Sequence, residues 1–218
     1  MTDEITPDRA GLLWARERAV YAISFKDEVV GRYTVEITPD ADAGTLGLVA
    51  SYEDANVRTR AELTLKRATL YPLSAYKKIE VPQGEFHLSG TYTDTALQLK
   101  AQTPGGPQQV EVPLVVPVFD NDSVLTIVRA LPLEAGYRGS LEVANIDNGR
   151  TYFAWVEHVT REVAPGDEES VDSHQIRMVF DNAESHEMWC RVDPPHALVR
   201  YDNRTVVFAL EEFSRQEI

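Results

Sequence analysis

The sequence predicts a mainly β protein in which a curled antiparallel meander forms a barrel or half-barrel around one central amphipathic helix, preceded by a short N-terminal helix. Polar and apolar residues alternate along most of the 218-residue chain, which is the period of half-buried strands. Turn-forming residues separate these segments at hairpin spacing, without the strand–helix alternation of a parallel sheet. One segment, at about 120–131, has helical spacing between two runs of strands.

Residues 1–18 are expected to form a helical segment ahead of a single β-barrel-like domain over 19–218. Thr6 suits a helix N-cap because its hydroxyl can accept a backbone N–H, and Pro7 suits the first helical position because its φ is already helical. Trp14 and the two leucines before it supply apolar side chains that can dock onto the sheet.

The clearest strand is predicted at 56–66, where Ala61, Leu63 and Leu65 alternate with polar neighbours. The other predicted strands cover 20–25, 29–37, 46–52, 76–81, 84–92, 95–101, 108–113, 138–146, 151–163, 172–180, 186–192, 197–201 and 204–211. Within this series Asn148-Gly149 predicts a tight hairpin, because both turn positions require positive φ. Such a succession of strands is typical of a meandering antiparallel sheet.

The central helix is predicted from four apolar residues with the spacing i, i+3, i+4, i+7: Val124, Ile127, Val128 and Leu131. Asp120 or Asp122 can cap its N-terminus, because a short acidic side chain accepts the free backbone N–H groups there, and Pro132 ends it. An amphipathic helix between two runs of strands is expected to cover the concave face of the sheet.

The composition narrows the classes of partner. With 21 basic and 35 acidic residues the formal charge is −14, which disfavours nucleic-acid phosphates and acidic lipid surfaces. No apolar run reaches the length of a transmembrane helix, and the first residues lack the basic and apolar regions of a secretory signal. We therefore expect a cytoplasmic monomer or homodimer whose partner is a hydrophobic small molecule or another protein.

Three histidines share the apolar faces of neighbouring predicted strands and are the first candidate site residues: His158, His174 and His186. If they converge in the concavity, they could bind a ligand, hold a metal ion or supply a general base. The favoured alternative is that each is a hydrogen-bonded core histidine, since no HxH or HExxH spacing indicates a metal site. We expect no metal ion and no cofactor, and place His196 in a loop.

Two tryptophans are further candidate ligand-binding residues. Trp155 lies in the segment 151–159, whose faces are both largely apolar, as expected of a strand between the core and a second apolar surface. Trp189 precedes Cys190, the single cysteine of the chain. Because Cys190 alternates with apolar neighbours, we expect a buried, inert thiol rather than a nucleophile.

Arg129, in the central helix, has two interpretations. It can pair with a carboxylate across the sheet, such as Asp193 or Glu142, and hold the helix in register. Alternatively it faces a cavity and binds an anionic head group, which makes it a candidate ligand-binding residue. We favour the ion pair, because helix-to-sheet pairs are the commoner use of such a residue.

Several motifs are spaced as in a known family. They are Asp120, Ser123, Ile127 and Arg129 in the helix, the exit Leu131-Pro132-Leu133-Glu134-Ala135-Gly136, the hairpin residues Pro165-Gly166, the closing Trp189-x-x-x-Asp193-Pro194, and the opening Glu17-x-x-x-Tyr21 with Gly31. With these motifs, residues 20–213 resemble the bacterial domain-of-unknown-function family 3108. The resemblance implies a curled antiparallel sheet around a helix, usually in exported envelope proteins, and makes the envelope or periplasm the alternative compartment. It implies no activity.

These observations favour a non-catalytic binding or scaffold module with an apolar concavity for a hydrophobic ligand or a partner segment. The alternative is an enzyme, hydrolase- or isomerase-like, that uses a cavity histidine as general base. A filled interior would favour the scaffold and an open apolar cavity the binding module. Two histidines and a carboxylate within hydrogen-bond reach of one another in the cavity would favour the enzyme.

Overall fold

The computed structural model describes residues 15–115, 117–166 and 170–216. Its 15 strands form one sheet in the order β8-β7-β6-β5-β4-β3-β2-β1-β15-β14-β13-β12-β11-β10-β9. The strands are β1 (Arg16–Phe25), β2 (Glu28–Asp40), β3 (Thr45–Asp54), β4 (Arg58–Lys66), β5 (Pro72–Val81), β6 (Gly84–Tyr92), β7 (Ala96–Thr103), β8 (Gly106–Pro113), β9 (Phe119–Asp120), β10 (Arg138–Asn145), β11 (Arg150–Val163), β12 (Asp172–Phe180), β13 (Ser185–Arg191), β14 (Leu198–Asp202) and β15 (Val207–Gln216). All neighbours pair antiparallel except β9 and β10, which are parallel.

The sheet consists of two meanders joined through one pair of strands. Strands β1 to β8 lie side by side in chain order, and so do β9 to β15. The first strand, β1, pairs with the last, β15, from Arg16 opposite Gln216 to Ser24 opposite Val207. The middle of the sheet is therefore built from residues far apart in the sequence.

The sheet is curled but not closed, because β8 and β9 do not pair with each other within the described residues. The half-barrel alternative is therefore confirmed and the closed barrel is wrong. The curl brings the β10–β11 hairpin onto β6, where a Cβ added at Gly90 would lie 3.2 Å from Ile146 Cγ2. Apolar side chains from the inner face and the helix form one large core.

The central helix α1 covers residues 121–130, as a 3-10 turn (Asn121–Ser123), an α-helical turn (Val124–Ile127) and a second 3-10 turn (Val128–Ala130). Its predicted apolar face is buried against the sheet. Asp120, rather than Asp122, is the N-cap, because its carboxylate accepts the Asp122 N–H. Leu131 is already extended, so the helix ends one residue earlier than predicted.

The N-terminal prediction is tested only at its end, because residues 1–14 lie outside the described residues. The residues Arg16 to Arg18 belong to β1 and not to a helix, which corrects that part of the predicted segment. Glu17 is buried between exposed neighbours, the period of two that a strand requires.

The strand directions divide the turns between two ends of the half-barrel. The turns after β10, β12 and β14 lie at one end, which we call the upper end. The turns after β11 and β13 lie at the opposite, lower end. This division decides which of the candidate residues can meet.

Candidate functional site

An open cleft of about 780 Å³ lies on the concave face toward the upper end of the half-barrel. This volume falls within the range of about 300–1,000 Å³ that is usual for small-molecule sites. Helix α1 contributes Asn121, Asp122, Val124 and Leu125 to one wall. The sheet contributes an aromatic floor, and the upper turns contribute a polar rim.

The floor is a continuous row of six rings on six strands, which we call the aromatic arc: Tyr33 (β2), Phe208 (β15), Tyr201 (β14), His186 (β13), Phe180 (β12) and Tyr152 (β11). Successive ring centroids are 4.5 to 5.6 Å apart. Successive ring planes are inclined by 60 to 82°, the edge-to-face geometry that aromatic quadrupoles favour. The arc therefore offers a rigid apolar surface across half of the sheet.

The rim carries asparagines whose side-chain oxygens are already used within their own turns. The Oδ1 atoms of Asn145, Asn148, Asn182 and Asn203 accept the backbone N–H groups of Asp147 (2.8 Å), Arg150 (3.0 Å), Glu184 (3.0 Å) and Val206 (2.8 Å). Because a backbone N–H can only donate, the contacting atom must be the oxygen. The Nδ2 groups of Asn145, Asn148 and Asn182 have no hydrogen-bond partner in the described part of the chain.

A buried charge network fixes helix α1 to the sheet beside the cleft. The Lys77 ammonium on β5 lies 3.0 Å from Asp122 and 2.8 Å from Asp147. Although burial disfavours its charge, these carboxylates hold the pKa of Lys77 above its usual value. Burial, reinforced by the Asp122 charge, raises the pKa of Asp120 to about 7, and the Tyr92 hydroxyl donates to this carboxyl group.

The structure brings two of the three candidate histidines together and separates the third. His158 Nε2 lies 3.1 Å from His174 Nδ1 near the lower end, and the His196 ring is 5.9 Å from that of His174. His186 lies in the cleft, because it is near the start of β13, which begins at the upper end. His174 is near the start of β12, which begins at the lower end. The hypothesis that all three converge is therefore wrong, and the described residues contain no group of three potential metal ligands.

The surroundings of His158 and His174 favour the neutral form of both rings. Burial, the neighbouring His158 and Arg161 lower the pKa of His174 to about 4. Burial and Arg161 also lower the pKa of His158. The pair does not line the cleft, so it contributes nothing to that site.

Neither of the two candidate tryptophans lies in the cleft. Trp155 is on the outer face of β11, 49% exposed, with its ring 6.1 Å from that of Phe153. Trp189 is also on the outer face, buried in a small cluster with Ala164 and Val199. Its indole N–H donates to Glu162 at 2.9 Å.

Arg129 is buried and forms the expected ion pair, but with a partner other than the two predicted. Its guanidinium donates to Glu17 on β1 at 2.9 Å and to the carbonyl oxygens of Pro195 and His196. Asp193 is exposed in the lower turn after β13. The sequence motif that opens with Glu17 and the helix motif that contains Arg129 thus meet in one contact.

Cys190 is fully buried, and burial raises the pKa of its thiol to about 12, which confirms the expectation of a buried thiol. Apart from His186, no ring of the aromatic arc is among the site residues predicted from the sequence. Apart from Tyr33, which lies in the middle of β2, the rings occupy inward positions close to the upper ends of their strands, and that recurrence is the signal that could have identified them.

Comparison with known proteins adds a family but no activity. No curated protein matches the chain. A family model described as "Protein of unknown function (DUF3108)" matches residues 20–207, which include helix α1 with Arg129 and most of the aromatic arc but not Glu17. The curled sheet surrounds one helix, and the motifs of Asp120, Arg129 and Pro194 lie at that helix and at the turn it contacts. Because the family model covers most of this structure, the chain belongs to the DUF3108 family.

Proposed function

We propose that the protein is a non-catalytic binding module whose cleft takes a ligand with an apolar face. The aromatic arc carries this proposal, because its five carbocyclic rings and one imidazole line an open cleft, and all of them except the buried Tyr201 are partly exposed there. Partly exposed aromatic rings in a concave site are the usual means of holding an apolar ligand surface. A scaffold with a completely filled interior would leave no such space.

The test is binding of N-phenyl-1-naphthylamine, an uncharged fluorescent probe, to the purified protein. Phe180→Ala should weaken binding at least tenfold, because burying a phenylalanine side chain contributes about 1.5–3 kcal/mol. Phe153→Ala is the matched control, because Phe153 lies on the outer face of the adjacent strand and is 40% exposed. Equal affinities for the two variants, with both folded by circular dichroism, would contradict the proposal, as would no binding to the wild-type protein.

Native mass spectrometry of freshly purified protein, followed by organic extraction, provides a second test. A co-purifying organic molecule that is lost in the Phe180→Ala variant would support the binding module. A clean mass at every stage, together with no binding of the fluorescent probe, would favour the scaffold.

The second candidate function is the enzyme with a cleft histidine, and one observation favours it. His186 lines the cleft, its Nδ1 lies 2.7 Å from the Tyr201 hydroxyl, and burial lowers its pKa, so that it is a neutral base at pH 7. Hydrolysis of p-nitrophenyl esters that is abolished by His186→Gln would support this function. Turnover unchanged in that variant would exclude His186 as the base.

The proposal includes a cytoplasmic monomer or homodimer, with the envelope or periplasm as the alternative compartment. Its partner is a hydrophobic small molecule or a protein segment, and the formal charge of −14 speaks against nucleic acid. No helix among the described residues has the length and apolar character needed to span a membrane. Light scattering tests the oligomeric state, and cell fractionation with an antibody tests the compartment.

A further inference from the structure

The charges around the cleft disfavour an anionic ligand. Asp122, Asp181 and Glu184 line it, against one guanidinium, that of Arg150. The Lys77 ammonium offsets Asp122 but is itself shared with Asp147. A site with excess negative charge in a chain of formal charge −14 repels carboxylates and phosphates at a distance.

The asparagines of the rim offer amide donors in addition to the acidic groups. The Nδ2 groups of Asn145, Asn148 and Asn182 point to no partner within the described residues, while their Oδ1 atoms are held by backbone N–H groups. These amides fit neutral oxygen acceptors such as hydroxyl and ether groups. The nearby carboxylates of Asp181 and Glu184 can accept hydrogen bonds from the same hydroxyl groups.

Aromatic rings below and amide donors above match one class of neutral molecule. A sugar ring has a face of C–H groups, which aromatic rings attract through their negative π-faces, and an edge of hydroxyl groups. We propose that the cleft binds an uncharged saccharide, with a C–H face against the aromatic arc and hydroxyl groups at the asparagine rim. This inference rests on the proposed binding module, and it replaces the wholly hydrophobic ligand with one that has a single apolar face.

The experiment is isothermal titration calorimetry of the full chain with maltohexaose, cellohexaose and chitohexaose, with hexagalacturonate as the anionic comparison. At least one neutral hexasaccharide should bind, and hexagalacturonate should bind at least tenfold more weakly. The double variant Asn148→Asp/Asn182→Asp should lower the affinity about tenfold or more, because aspartate keeps the oxygen that closes each turn but removes the amide donor. Asn56→Asp is the control, since it adds a charge in the exposed β3–β4 turn outside the cleft.

The outcomes separate this inference from the function on which it rests. Binding of N-phenyl-1-naphthylamine that is sensitive to Phe180→Ala, without binding of any hexasaccharide, would overturn the saccharide and leave the binding module standing. No binding of any probe would overturn both. A hexasaccharide affinity that the double variant does not lower beyond the Asn56→Asp control would also overturn the assignment to this rim.

Discussion

Glu17, a buried carboxylate on the first strand, connects three distant parts of the chain. It accepts from Arg129 of helix α1 at 2.9 Å and from Arg215 of β15 at 2.6 Å. Arg129 in turn donates to the backbone of the lower turn after β13. A buried ion pair contributes little to the free energy of unfolding when compared with apolar residues in the same positions. Removal of one partner is nevertheless costly, because it leaves the other charge buried and uncompensated.

We expect Glu17→Gln to lower the free energy of unfolding by about 3–5 kcal/mol, because it leaves Arg129 buried without an opposite charge. Glu36→Gln, which removes one of the two exposed partners of Arg18, should cost less than about 1 kcal/mol. Urea denaturation measures both. The double variant Glu17→Gln/Arg129→Met should recover most of the loss, and equal losses in the single and double variants would disprove this account.

Trp189→Ala should lower the free energy of unfolding by about 3 kcal/mol, because the indole is 4% exposed and fills the outer cluster. Trp155→Ala should cost less than about 1 kcal/mol, because its side chain is half exposed on the same face. Thermal and urea unfolding compare the two. A loss below about 1 kcal/mol for Trp189→Ala would place that indole at a surface.

At the scale of elements, the N-cap of helix α1 and strand β12 carry titratable groups with opposite effects on stability. His174 is neutral in the folded state down to about pH 4, whereas its ordinary pKa is 6.5. The unfolded chain therefore binds the extra proton in this range, and stability falls as the pH is lowered from 6.5 to 4. Asp120 has the reverse effect, because its folded-state pKa of about 7 exceeds the ordinary 3.8, and its stabilisation is lost as the pH rises toward 7.

We expect the two groups to be separable by substitution. The wild-type protein loses stability at low pH through His174, and the His174→Gln variant should not. The free energy of unfolding of this variant minus that of the wild type should therefore rise as the pH is lowered from 7.5 to 4.5. Asp120→Asn should do the opposite over the same range. Urea midpoints at four pH values provide the measurement, and parallel pH profiles for the two variants would contradict the assignment.

The elements differ in how far sequence predicts them. Alternation predicts every strand except β9, because two buried residues cannot display a period of two. The buried face of helix α1 is predictable from sequence because it depends only on the spacing of apolar residues within one segment. The aromatic arc is not predictable in this way, since its rings meet only through the register of seven neighbouring strands. Likewise, the position of Arg129 in the helix predicts a carboxylate partner on the sheet, but only the three-dimensional arrangement identifies that partner as Glu17.

At the scale of the whole molecule, the two meanders are held together mainly by the pairing of β1 with β15 and by helix α1. The connection between them passes through Val115, which is 92% exposed. A break in an exposed connection removes few contacts, so each half keeps its own strand pairs. The cleft, in contrast, needs both halves, because Tyr33 comes from the first and the rest of the arc from the second.

We therefore expect fragments 1–115 and 116–218, when co-expressed, to associate and to bind N-phenyl-1-naphthylamine as the intact chain does. Co-purification through a tag on one fragment measures the association. The control fragment 116–206 lacks β15 and should not co-purify. Association of the control fragment, or none of the complete pair, would show that the β1–β15 pairing is not what joins the halves.

The pairing of β1 with β15 also has a consequence for protein synthesis. A nascent chain emerges from the ribosome with β1 first. This strand cannot pair with its second neighbour, β15, until every other strand has been synthesised. Phe208, a ring of the arc, arrives with the same last strand. A translation product that stops before residue 207 therefore contains neither the pairing that joins the two meanders nor the complete lining of the cleft.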